Sequence, residues 1–246
     1  MKKTGPSGPV FSYDFIMTKI NLSNRLFRVA SYVKQGAVPV DVGTDHAYVP
    51  IYLLQNGVSP RAYATDNRPG PLKNAGSDAK KYGVEKRLTL YLCDGLALCD
   101  PERLDTVIIA GMGGETMIYI LEQTPWALEK RLILQPQSKL RELRRYLAAK
   151  KLSISDAVLA EDAGKLYQVW LVGEGAMDAD AMIEPCLIEK RDPLLKPYLA
   201  EQIHRHKKRI HGLQASRQPD GDALRRLYRE LDTLERLFQD LAKQNI

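Results

Sequence analysis

The chain is poor in the residues that build disulfide and metal scaffolds. Its three cysteines, Cys93, Cys99 and Cys186, are odd in number and form no C-x-x-C pair. That argues against a disulfide framework or a thiolate zinc site and fits a reducing cytoplasm. Of four histidines, His46 stands alone, while His204, His206 and His211 share one basic stretch. No cysteine or carboxylate cluster accompanies them, so no metal is expected. No apolar run approaches the roughly 20 residues of a membrane span, and residues 1–16 lack the pattern of a secretory signal; no membrane association is expected. A complete G-x-G-x-x-G is also missing. Only Gly43 is present in any register, and the other places hold Asp41, Asp45, His46 or Tyr48. A pyrophosphate would sit poorly beside those acids, which disfavours a nicotinamide oxidoreductase.

What is present is ordinary for a globular chain of 246 residues: 44% hydrophobic and 27% charged, enough for one good core and an appendage. The formal charge of +6 and a pI near 9.1 favour a polyanionic partner, because neutralised phosphates release counterions. Residues 1–17 are rich in Gly, Pro and Ser and read as a disordered lead-in, with Met17 as an alternative start.

From Leu22 onward the pattern alternates. Leu22, Leu26, Val29, Ala30 and Val33 recur at helical spacing and predict a helix over 22–35. The run 37–43 predicts a buried strand that closes on an acid and a glycine. A helix at 48–56, a strand at 61–66 and a helix at 69–82 follow, the last begun by prolines and stopped by Gly83. Strands are expected at 88–93, 106–110 and 131–135, with helices up to about 123 and over 138–150. Strands at 154–159 and 166–172 form an antiparallel pair. This order means a doubly wound α/β fold with a mostly parallel seven-stranded sheet, the plan of the class I methyltransferases. After residue 184, Leu199, Ile203, His206, Ile210 and Leu213 step along one helix, and Leu224, Leu227, Leu231, Leu234, Phe238 and Leu241 along another. Gln218-Pro219-Asp220-Gly221 is a turn between them. The expected organisation is a cofactor-binding domain over 18–178 and an antiparallel, coiled-coil-like helical hairpin over 184–246.

In open α/β sheets ligands bind beyond the carboxyl ends of the strands. Here those ends carry Asp41, Gly43, Asp45 and His46 after the first strand, and Asp66 and Asn67 after the second. Asp94 and Gly95 follow the third, and Ala110, Gly111 and Met112 the fourth. The set suits S-adenosylmethionine, which has no phosphate. Gly43 lets the backbone approach, Asp66 suits ribose hydroxyls, Asp94 the adenine amino group, and Asp41 or Asp45 the ammonium or sulfonium charge. Each has a plainer reading: Asp45 as a helix cap, Asp94-Gly95 as a turn, Asp66 as a surface acid. The inference rests on the set.

The segments Asp-Val-Gly-Thr-Asp-His-Ala-Tyr-Val-Pro (41–50), Ala-Thr-Asp-Asn-Arg-Pro-Gly-Pro-Leu (64–72), Cys-Asp-Gly-Leu (93–96), Ala-Gly-Met-Gly-Gly-Glu (110–115) and Leu-Gln-Pro-Gln (134–137) resemble the signatures of the bacterial tRNA adenine-N1 methyltransferases known as TrmK. The resemblance runs from about Leu22 to Val172, and the appended helices match that family's two-domain plan. It implies an enzyme that uses S-adenosylmethionine to methylate N1 of adenine 22 in tRNA. The alternatives are a methyltransferase of the same fold acting on another RNA, a protein or a small molecule, and a non-catalytic RNA-binding protein.

Ring N1 carries a free lone pair, so no general base is needed. The place after the fourth strand offers no carboxamide, which favours a ring nitrogen over an exocyclic amine. Asp45 is the candidate catalytic carboxylate, either stabilising the charge that develops or accepting from the adenine amino group. An extruded adenine is expected to meet Tyr48, Gln135 and Gln137. Arg141, Arg144, Arg145, Arg205, Lys207, Lys208 and Arg209 are candidate phosphate contacts, with a solvated charged face as the plainer alternative. The oligomeric state is open, a monomer being the working expectation.

Overall fold

The computed structural model describes residues 18–216 and 220–243. The lead-in at 1–17 and the Gln218-Pro219 part of the turn lie outside the described residues. Helix α1 (Asn24–Ser31) precedes an alternating series: β1 (Pro39–Val42), α2 (Tyr48–Gln55), β2 (Ala62–Asp66), α3 (Pro69–Lys81), β3 (Leu88–Leu92), β4 (Thr106–Gly113), α4 (Gly114–Gln123), β5 (Arg131–Ser138) and α5 (Leu140–Ala149). Strands β6 (Leu152–Asp162) and β7 (Lys165–Glu174), a short α6 (Pro185–Glu189), α7 (Leu195–Gln214) and α8 (Gly221–Lys243) complete the chain.

The seven strands form one sheet in the order β3-β2-β1-β4-β5-β7-β6. Strands β1 to β5 pair in parallel, and β7 runs antiparallel to both β5 and β6. The chain starts at the centre, builds outward through β2 and β3, then returns to place β4 on the other side of β1. The switch point therefore lies between β1 and β4, where such sheets open their ligand crevice.

Period-two alternation sorts the strand residues onto two faces. Val107 and Ile109 of β4, Leu132 and Leu134 of β5, and Trp170 and Val172 of β7 enter the cluster that also holds Met117 and Leu121 of α4 and Leu143 and Leu147 of α5. Their neighbours Ile108, Ile133 and Val169 face the opposite way, against Val29 and Ala30 of α1 and Val49 and Leu53 of α2. Helix α3 covers the β2–β3 edge on that second face through Ala75 and Ala79. Both faces of β1, β2 and the apolar runs of β4 and β5 are buried, which is why they read as continuous apolar runs, whereas the edge strand β3 is partly exposed.

The helical appendage shares the first face's core. Leu187, Leu195, Tyr198 and Leu199 pack with Leu234 and Leu241 in the cluster that contains Trp170. Cross-contacts run Gln214 to Tyr228, Lys207 to Glu235 and His206 to Glu230, so α7 and α8 are antiparallel. Among the described residues, no helix is long and apolar enough to cross a membrane.

The regular elements differ from the sequence expectation mainly at their ends. Helix α1 is shorter than the predicted 22–35, although Leu22 and Val33 still pack on its cluster. Strands β4 and β5 run on to Gly113 and Ser138, past a register irregularity between Ala110 and Met112. Ser138 therefore ends a strand instead of starting a helix, and α5 begins after Lys139, whose φ is +56°. Strands β6 and β7 run on past the sheet's main body, residues 158–162 pairing with 165–169 beyond the last β5 pairing at Trp170.

Candidate active site

The cleft at the switch point is a cavity of about 370 Å³ bounded by Arg25, Asp41, Gly43, Thr44, Asp45, His46, Tyr48, Ala110, Gly111 and Gln137. Its floor is the loop after β1. Gly43 has φ +70°, and its amide and that of Thr44 both donate to the Thr65 carbonyl, at 2.8 and 3.0 Å. Thr65 in turn donates its hydroxyl to the Gly95 carbonyl at 2.7 Å, and the Cys93 amide reaches the Asp66 carbonyl at 3.0 Å. The ends of β1, β2 and β3 are thus stitched together by backbone groups and one threonine.

Asp41 is buried, and its carboxylate accepts from the Thr44 hydroxyl at 2.7 Å. Burial pushes its pKa up to about 6, against the opposing pull of the Thr44 hydrogen bond and the Arg25 charge. Asp45 is exposed and lies 3.7 Å from Nε2 of His46. It does not cap α2, because the residue before that helix is Ala47, in a left-handed conformation with no side-chain cap. His46 is held from its other side: Nδ1 lies 2.7 Å from Asp78 of α3, and the ring stacks on Tyr48 with centroids 4.9 Å apart.

Asp66 is not a surface acid. It is buried, and one carboxylate oxygen accepts from the Arg68 amide at 2.9 Å. Asn67 is exposed beside it. Asp94 occupies a turn that Gly95 closes with φ +54°, and its carboxylate accepts from the Tyr119 hydroxyl at 3.1 Å. These four residues extend the line of strand ends past the cavity. Gly111 (φ +80°) and Met112 form the facing wall from β4, with the tip of Met112 against the Gly43 backbone.

Two expected substrate contacts need correction. Gln135 is fully buried. Its carbonyl oxygen accepts from Arg25 Nη1 at 2.7 Å and from the Gly111 amide at 3.1 Å, and its amide donates to the Pro136 carbonyl. It fixes the cleft wall and cannot meet an incoming base. Arg144 is equally inaccessible: it pairs with Glu184 in the core and lies over the Trp170 ring. Gln137, in contrast, lines the cavity.

The remaining basic residues divide by partner. Arg141 bonds Asp180 and Glu230, Arg145 bonds Asp180, Arg205 bonds Glu201 and Lys207 bonds Glu235. Lys208 and Arg209 are exposed and carry no ion pair among the described residues. Arg141, Arg145, Arg205 and Arg209 line a larger groove of about 730 Å³, which adds Lys139, Lys165 and Arg226. Gln137 borders both this groove and the first cavity. Arg25, Asp78 and the three added cations were not among the expected site residues. Arg25 had a legible signal, since it falls within the inward stripe of α1 between Leu22 and Val29.

The cleft fits a sulfonium nucleoside better than a dinucleotide. Two left-handed glycines face each other across the opening, buried acids stand at two strand ends, and the carboxylate of Asp41 shares the cavity with the guanidinium of Arg25. A family model described as a methyltransferase domain matches residues 22–170. The tRNA (adenine(22)-N(1))-methyltransferase of Bacillus subtilis is 36% identical over 188 residues, 76% of this chain and 78% of its own. The crystal structure of the B. subtilis m1A22 tRNA methyltransferase TrmK superposes with a TM-score of 0.77 at 27% identity, over 89% of this chain and all of the other. Sp1610 of Streptococcus pneumoniae, solved in complex with S-adenosyl-L-methionine, gives 0.78 at 28% identity over the same shares. The chain belongs to the methyltransferase-domain family and, within it, to the tRNA (adenine(22)-N(1))-methyltransferases.

Proposed function

We propose that this chain transfers a methyl group from S-adenosylmethionine to N1 of adenine 22 in tRNA, and that it does so in the cytoplasm, as a monomer. The observation that carries the reading is continuity: the acid-and-glycine cleft at the switch point meets, at Gln137, a groove in which the Lys and Arg residues of α5, β7, α7 and α8 outnumber the acids Glu142, Asp180 and Glu230. The first suits the cofactor and the second a phosphate backbone. Residues 18–178 act as the catalytic unit and 184–246 as a grip on the RNA.

In this reading the second oxygen of Asp66 accepts from ribose hydroxyls, beside Asn67. Asp94 and the Gly95 backbone receive the adenine ring, and Asp41 faces the ammonium group. Gly43, His46, Ala110, Gly111 and Met112 line the methionyl end. When bound, the cofactor supplies an electrophilic methyl: the N1 lone pair forms the N–C bond as the S–C bond breaks, and the positive charge passes from sulfur to the adenine ring. The protein's own part is alignment and charge compensation. No proton leaves N1, so a base is not required. Asp45, exposed at the cleft mouth, stabilises the cationic ring or accepts from its amino group. Tyr48, stacked on His46, offers an aromatic surface to the extruded base, with Gln137 alongside.

The test is labelled methyl transfer to unmodified tRNA against the same tRNA with guanine at position 22. Incorporation that vanishes in the second RNA supports the site assignment, and equal incorporation refutes it. Asp45→Asn is expected to lower turnover while cofactor affinity stays within a few-fold; the reverse split removes that role from Asp45.

A further inference from the structure

Helices α1 and α2 turn two large aromatic rings outward. Phe27 of α1 is 43% exposed and Tyr48 of α2 is 36% exposed. A single exposed ring is ordinary, but these two are joined through a third. Phe27 meets Tyr52 edge to face, with ring centroids 6.1 Å apart and planes at 84°. Tyr52 follows Tyr48 by one turn of α2, a rise of about 5.4 Å, and Tyr48 stacks on His46 at 4.9 Å. Aromatic side chains therefore lead from the outer surface of α1 to the cleft mouth. An edge-to-face contact occupies at most one face of a ring, so Phe27 keeps a face that Tyr52 does not use.

The same helix layer carries cations without acidic partners. Arg28 follows Phe27, and Lys80 and Lys81 stand in the last turn of α3; all three are exposed. None forms an ion pair among the described residues. Lys81 holds its Nζ 5.0 Å from the centroid of the Tyr82 ring, and Asp78, three residues before it, is taken up by His46. The exposed acid at this end is Asp45, which also lies against His46. Aromatic rings interleaved with free cations suit unpaired RNA, whose bases stack and whose phosphates attract positive charge. Turning one adenine out of its stack also leaves its neighbours with an unstacked face.

We propose that Phe27 is a second stacking site for RNA, receiving a nucleobase next to the extruded adenine while Arg28 and Lys81 contact the adjoining phosphates. The inference rests on the tRNA reading above and deepens it. Helix α1 packs on the sheet face opposite the one whose core the appendage shares. The RNA is then held from both sides of the cleft, by phosphate contacts alone on the appendage and by base stacking on α1.

The test is fluorescence-anisotropy titration of the full chain with unmodified tRNA, and with the same tRNA made abasic at each position within three of adenine 22. Phe27→Leu keeps an apolar side chain without a stacking face, and Phe27→Tyr keeps the face. Phe27→Leu is expected to weaken tRNA binding about 5- to 100-fold, and Phe27→Tyr to stay within about threefold of wild type. Both should bind S-adenosylmethionine as wild type does, since Phe27 lies outside the cofactor cavity. One abasic tRNA is expected to cost wild type a similar factor and to cost Phe27→Leu nothing further. Unchanged tRNA affinity in Phe27→Leu overturns the inference. So does an equal loss in both variants, a parallel loss of cofactor affinity, or an abasic penalty that persists in Phe27→Leu at every position. A wild-type chain that binds no tRNA overturns the functional reading and this inference together, whereas the Phe27 outcomes leave that reading intact.

Discussion

The tip of Met112 rests directly on the backbone of Gly43, so that a Cβ at residue 43 would overlap its Cε, and Gly43 itself has φ +70°. The contact joins the loop after β1 to the last residues of β4 across the mouth of the cleft. Gly43→Ala meets two obstacles of different kinds. The methionine end is flexible and yields. The left-handed backbone does not, and costs about 1–2 kcal/mol for an alanine. Thermal melting of Gly43→Ala is expected to fall by roughly 2–8 °C, and Gly43→Ala/Met112→Ala to recover less than half of that. Full recovery in the double variant would show that crowding, and not backbone strain, sets the requirement for glycine.

Asp41 makes stability and cofactor binding depend on pH in opposite senses. Its folded pKa is raised to about 6 by burial, so the folded state holds this proton more tightly than the unfolded chain does. The stability it contributes is therefore complete below about pH 4 and lost as pH rises through 6, on the order of 3 kcal/mol in all. Asp41→Asn is expected to flatten this part of the profile in denaturant titrations between pH 4 and 7. Affinity for S-adenosylmethionine should run the other way, tightening from pH 5 to 7 as the carboxylate that meets the ammonium ionises. A wild-type affinity flat across that range would contradict the assignment.

Arg144 and Glu184 are each 3% exposed and pair beneath the helical appendage. Burial alone would push the Glu184 carboxyl up, and Arg144 opposes that shift. Removing one partner leaves a charge stranded in the core. Glu184→Ala is expected to cost about 3–5 kcal/mol in urea unfolding, whereas replacing both residues by Met and Leu restores most of the loss. A single variant within about 1 kcal/mol of wild type would mean that water reaches the pair.

The strand ends were legible because chemistry and position coincide there: Asp41-Val-Gly, Asp66, Asp94-Gly and Gly111-Met each close an apolar run. Function could be read from the set, although no single residue was decisive. What sequence did not reveal was which basic residues are free. Arg141, Arg144 and Arg145 occupy one helix within five positions, yet one is buried and all three are paired. The burial of Arg144 was readable, since it lies on the stripe Leu140, Leu143 and Leu147. Its partner was not, being 40 residues away. Gln135 shows the same limit: a glutamine within a buried strand suggests a polar contact, but only the packing of α1, 110 residues earlier, shows that it holds Arg25.

That distinction predicts the salt dependence of tRNA binding. Among the described residues Lys208 and Arg209 are exposed without ion pairs, whereas Lys207 and Arg205 already carry carboxylate partners. Lys208→Ala/Arg209→Ala is expected to weaken tRNA binding and reduce the slope of log K against log salt by about 1–2, close to 0.9 per phosphate released. Arg205→Ala/Lys207→Ala should change it by less than half as much. Equal effects, or none, would return the 205–209 stretch to a solvated helix face.

The most direct measurement identifies the modified nucleoside. Unmodified tRNA is incubated with the protein and S-adenosylmethionine, digested, and the methylated adenosines separated chromatographically, because 1-methyladenosine and N6-methyladenosine have the same mass. The expected product is 1-methyladenosine alone, from position 22, since the β4 end offers backbone groups and no carboxamide to bind an exocyclic amine. N6-methyladenosine, or methyl groups on another nucleoside, would contradict it.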